Sequence, residues 1–170
     1  MSWNVISNGD GLVLLNGEDT IVRGNKMVKD ELIVEILLNV EEMGVPIELT
    51  KGLKEIYFTY LKGNLEATYL DGKIIVSCNR KHVKEAHLSF IHELGHHIDE
   101  REAFTDMEEL VNEWTSLSGT FEEYHVDIAK DNGLEEYFAI GFEAYYSGLI
   151  DLSEHKFLRK CVEWAHSGIK

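Results

Sequence analysis

Residues 81–101 read KHVKEAHLSFIHELGHHIDER and contain H-E-x-x-H, from His92 to His96, inside a run of helical periodicity. Four residues advance an α-helix by about 400°, so the two imidazoles lie about 40° and 6 Å apart on one face and can share a metal ion. Glu93 sits between them, turned to the side, where its carboxylate can reach a metal-bound water but does not have to bind the ion itself. In a chain with 8 His and 22 Glu the motif arises by chance in about one sequence in twenty. The surrounding residues therefore carry weight.

On a helical wheel, Glu85, Ser89, His96 and Asp99 cluster within about 60° of His92, while Val83, Leu88, Phe90, Ile91, Leu94 and Ile98 sweep the remaining arc. One side of the helix is built for burial and the ligand side is polar. His97 falls about 100° from the ligand stripe and reads as an ordinary packed or exposed histidine. Asp99, one turn past His96, reads either as an acceptor that orients a ligand imidazole or as a solvated carboxylate at a helix end.

Catalytic zinc takes three protein ligands and keeps a position open. The extended pattern H-E-x-x-H-x-x-G-x-x-H would need Gly and His where this chain has Asp99 and Glu102, which excludes that class. The best third ligand lies in the segment from Leu134 to Tyr146, apolar nearly all round apart from Glu135 and a stripe of Glu136, Glu143 and Ser147. A carboxylate on a helix this apolar calls for a cation. Glu136 is the first choice, with Glu135 and Glu143 as alternatives and a plain solvent-facing stripe as the competing explanation.

Outward from the metal helix, the pattern is that of an α+β protein. Residues 46–49, 55–61, 67–70 and 73–77 are short β-branched or aromatic runs, and Asp71-Gly72 between the last two is a hairpin signal. They predict a small twisted sheet over residues 46–77, with the 73–77 strand as the edge open to an extended peptide. Residues 25–42 carry Met27, Leu32, Ile33, Ile36, Leu37 and Val40 at helical spacing, ended by Gly44 and Pro46. Residues 1–24 are short extended pieces broken by Asn8-Gly9, Gly11, Asn16-Gly17 and Gly24, which predicts a hairpin-like N-terminal extension. After Asn79 the pattern is helical, giving a helical C-terminal lobe. At 170 residues the chain suits one domain, residues 1–170, around a single core.

The helix from His92 to Asp99, the later run Glu136-Tyr137-Phe138-Ala139 and the pair Tyr145-Tyr146 together resemble the catalytic domain of the anthrax lethal factor family. That family includes the Pro-Pro endopeptidases and is related to the MtfA peptidases. The likeness runs from about residue 25 to the C-terminus and implies a zincin-like fold. It also implies zinc held by His92, His96 and Glu136, with Glu93 as general base. The family pattern has a tyrosine seven residues before the third ligand, thought to stabilise the transition state, where this chain has Ala129. Either Tyr124 or His125 takes over that duty, or the oxyanion is held another way, or the enzyme is weakened. Peptide deformylases also carry H-E-x-x-H, but their ligand cysteine has no counterpart in the Val-Ser-Cys78-Asn setting.

The resulting expectation is a zinc metallopeptidase acting on peptide or protein substrates, with a catalytically weakened binding or regulatory module as the alternative. The formal charge of −15 disfavours nucleic acid and anionic membranes, which require positive charge on their partners. Between Asp99 and Glu143 fourteen acidic residues stand against only Arg101 and Lys130, which reads either as a solubilising acidic surface or as a field that attracts basic substrates. No signal-peptide pattern is visible at the N-terminus, and the two cysteines, Cys78 and Cys161, form no disulfide framework, so a cytoplasmic location is expected.

Overall fold

The computed structural model describes residues 3–7, 11–15, 20–117 and 133–168. Tyr124, His125 and Ala129 lie outside the described residues. Two compact units divide the chain, Met1–Leu94 and Gly95–Lys170. The boundary falls inside one continuous helix.

The first unit carries a mixed, open sheet of β1 (Val5–Ser7), β2 (Leu12–Leu14), β3 (Thr20–Gly24), β4 (Glu55–Thr59), β5 (Ala67–Leu70) and β6 (Lys73–Ser77), in the order β1-β2-β3-β4-β6-β5. The strands β1, β2 and β3 form an antiparallel meander. Strand β3 then pairs in parallel with β4, and β4 with β6. Helix α1 (Asp30–Glu42) makes the crossover between β3 and β4. Burial alternates along β3 and β4, so Val22, Ile56 and Phe58 point inward, with Ile74 and Val76 of β6 continuing that face. Helix α1 turns Ile33, Ile36, Leu37 and Val40 inward. A Cβ on Gly24 would lie 2.8 Å from Ile33 Cδ1, so β3 ends in direct contact with that helix.

Three sequence expectations need correction here. The sheet is not confined to residues 46–77, because the N-terminal pieces are three of its strands. Their turns are local and legible, but the parallel pairing of Ile21 with Glu55 joins segments whose periodicity says nothing of each other. Residues 46–49 are not a strand, since Ile47–Thr50 forms a 3-10 turn after Pro46, closed by Thr50 Oγ1 donating to the Ile47 carbonyl. Ile47, Leu49 and Thr50 are all buried, which a half-buried alternating strand does not allow. Finally β6 is interior, flanked by β4 and β5, and the edge of the sheet on that side is β5. The hairpin joining them turns at Asp71 (φ 48°) and Gly72 (φ 78°). Two positive φ values are what a two-residue turn between twisted strands requires, and Asp-Gly supplies them.

Helix α2 (Ala86–Glu102) follows a 3-10 turn at Val83–Glu85. Phe90, Ile91, Leu94 and Ile98 are fully buried, as the wheel predicts, whereas Val83 and Leu88 are half-buried. Trp3 meets Phe90 edge-on at 6.0 Å and donates its indole N–H to the Val45 carbonyl.

The second unit adds α3 (Glu108–Leu117), α4 (Leu134–Ser147) and α5 (Lys156–Ser167) to the C-terminal part of α2. Helix α4 buries seven consecutive or nearly consecutive residues, Tyr137 to Phe142 and Ala144, matching its apolar circumference. Phe104 stacks on Phe138 at 5.4 Å, and a Cβ on Gly141 would collide with Leu158 of α5. Among the described residues no helix is long and apolar enough to cross a membrane.

Candidate metal centre

His92 and His96 lie on α2 at the i, i+4 spacing that stacks two side chains on one helix face. Each offers a ring nitrogen, Glu136 offers a carboxylate oxygen, and these three atoms lie within 4.8 Å of one another. His96 Nε2 is 3.1 Å from Glu136 Oε1. Ligands held about 2.0–2.2 Å from a tetrahedral ion are separated by roughly 3.3 Å, so small side-chain rotations bring the trio onto one metal. The donor set, two imidazoles and a carboxylate, suits zinc and leaves a fourth position for water or substrate. The His96 and Glu136 side chains are 18% and 23% exposed, so both are partly accessible to solvent.

The approach of α4 to α2 explains why Glu136 reaches the histidine. Gly95 immediately precedes His96, and an added Cβ there would lie 3.0 Å from the Ala139 Cα and 3.1 Å from the Phe142 Cβ. Only hydrogen at this position lets the two helix backbones come so close. Ala139 lies one turn beyond Glu136, so the contact and the Glu136 carboxylate share one face of α4. Gly95→Val should therefore cost about 1–3 kcal/mol by overpacking and weaken metal binding at the same time. Denaturant unfolding and a metal titration on the same variant check both effects.

Glu136 also occupies the first turn of α4, where the exposed amide dipoles favour a carboxylate. Neither Glu135 nor Glu143 belongs to the metal-capable group among the described residues. Glu93 is half-buried, between the two histidines in sequence. His97 is packed, at 5% exposure, and takes no place in the group.

Asp99 is buried rather than solvated, contrary to one of its two sequence readings. Its Oδ1 accepts the Thr105 backbone N–H at 2.9 Å and its Oδ2 accepts the Thr105 hydroxyl at 2.7 Å. Burial raises the Asp99 pKa, and the two Thr105 hydrogen bonds pull it back down. These bonds hold the chain as it leaves α2 through Ala103, whose φ of 55° is left-handed. The carboxylate thus fixes the turn that ends the metal helix.

Sequence reasoning missed both Gly95 as a contact residue and a polar cluster of Glu113, Tyr137 and His155 behind α4. A glycine one residue before a ligand, on a helix otherwise free of glycine, was the available signal for the first. The second carried no local pattern. No family model, curated protein or solved structure matches the chain.

Proposed function

We propose that the protein is a zinc-dependent metallopeptidase with a zincin-like fold, cleaving peptide bonds with Glu93 as general base. The observation that supports this reading is the convergence of His92, His96 and Glu136 next to Glu93. Zinc held by this trio would supply Lewis-acid polarisation of the scissile carbonyl and a lowered pKa for water. Glu93 takes the proton of the attacking water and passes it to the leaving amine nitrogen. The β5 edge of the sheet gives an extended substrate main-chain partners. Glu66, at the head of that strand, lies 3.4 Å from the hydroxyl of Ser89, one turn before His92 on the ligand side of α2.

Metal analysis of the purified chain followed by cleavage profiling on a peptide library tests this reading. One zinc per chain with sequence-dependent cleavage supports it. Stoichiometric zinc without cleavage of any peptide favours the second reading, a zincin-fold binding or regulatory module, which Ala129 in place of the family tyrosine keeps in play. Absence of bound metal overturns the peptidase reading.

The acidic balance of residues 99–143 makes a further expectation about the substrate. A one-sign field draws oppositely charged ligands and accelerates their encounter. Peptides with Lys or Arg flanking the scissile bond should show a higher kcat/KM than acidic counterparts. The advantage should shrink with added salt as the screening length falls from about 10 Å at 0.1 M to about 3 Å at 1 M. Equal rates at low ionic strength would reduce the charge to a solubilising surface.

A further inference from the structure

Glu113 of α3 does three things at once. Its Oε2 accepts the backbone N–H of Phe157 at 2.6 Å, and its Oε1 accepts that of Leu158 at 2.8 Å. These are orphan donors of the first turn of α5, whose own N-cap residue, His155, makes no side-chain cap. The carboxylate thus caps α5 from a neighbouring helix. Its Oε1 also accepts the hydroxyl of Tyr137 at 3.2 Å.

Tyr137 is fully buried and directly follows Glu136 in the first turn of α4. Its hydroxyl oxygen lies 2.7 Å from His155 Nδ1. Because a carboxylate only accepts, the phenol proton points to Glu113, and His155 carries its proton on Nδ1 and donates it to the phenol oxygen. Burial lowers the His155 pKa, against the opposing pull of Glu113, Glu154 and Asp151, and burial with Glu113 raises that of Tyr137. Both shifts agree with neutral rings in this chain of hydrogen bonds. Helix α4, by contrast, begins at Gly133 (φ 87°) without any side-chain cap.

We propose that Glu113 and Tyr137 are positioning residues, a brace that sets the first turn of α4 and thereby the placement of Glu136 as metal ligand. The proposal rests on the reading of His92, His96 and Glu136 as a metal centre. Neither Glu113 nor Tyr137 belongs to the trio of His92, His96 and Glu136. Removing the phenol oxygen releases the first turn and lets the Glu136 carboxylate leave its place 3.1 Å from His96.

The test uses the full chain, zinc competition against a chromophoric chelator, and the absorption spectrum of the cobalt-substituted protein. Wild type and His96→Ala are measured first. Stoichiometric binding by the former and its loss in the latter uphold the metal centre. No binding by wild type overturns the centre, and the brace with it. With the centre upheld, Tyr137→Phe should weaken zinc binding by about tenfold, the lower end of what supporting residues around metal ligands contribute. The cobalt band should shift as well. In a Glu136→Ala background the same substitution should change the remaining affinity by less than about twofold, because the brace acts only through that ligand. A purely structural role would lower affinity equally in both backgrounds, and that result overturns the proposal. So does wild-type affinity and spectrum in folded Tyr137→Phe. Glu113→Gln, which keeps an oxygen to cap α5, carries the same comparison should Tyr137→Phe fail to fold.

Discussion

Glu93→Gln is expected to retain one zinc per chain and the native fold while peptide cleavage falls by about 10²-fold to 10⁴-fold, the usual contribution of a positioned general base. The substitution keeps the size and the hydrogen-bonding oxygen of the side chain but removes the proton acceptor. Glu93 is half-buried and is not in the ligand trio, so losing its charge leaves the metal donors intact. The fall should appear in kcat, with KM little changed, because the proton moves only as the transition state forms. Steady-state kinetics on the best library peptide, alongside metal analysis of the same preparation, measure both halves. A variant that keeps activity within about threefold would remove Glu93 from the role of base.

His96→Ala is expected to abolish stoichiometric metal binding. His96 lies 3.1 Å from Glu136 and is also the i+4 partner of His92, so its loss breaks two of the three pairs in the candidate trio. The effect is also legible in stability. A metal that binds only the folded chain stabilises it by about 4 kcal/mol when its free concentration is a thousand times Kd. Wild type should therefore lose thermal stability when a chelator strips the metal, whereas His96→Ala should melt at the same temperature with and without chelator. A chelator-sensitive melting temperature in His96→Ala, with zinc still at one per chain, would show that other residues hold the ion.

What the sequence by itself determined is what backbone geometry dictates over a few residues. Two histidines four apart share a helix face in any α-helix, so the His92 and His96 pair was legible as soon as residues 81–101 read as helical. The Asp71-Gly72 turn, the core stripe of α1 and the apolar circumference of α4 were legible for the same reason: each is a period or a turn preference. The net charge needs no fold at all. Only the tertiary structure decided which segments pair across distance. Strand β3 lies parallel to β4 because both bury the same face over a common core, and β5 rather than β6 is left at the edge. It also decided among Glu135, Glu136 and Glu143. One helix face presents more than one carboxylate, and the close approach at Gly95 and Ala139 selects the one that meets His96. The bonds from Glu113 to Tyr137, Phe157 and Leu158 join residues 24 to 45 positions apart. Such contacts follow from how helices pack, and no local spacing encodes them.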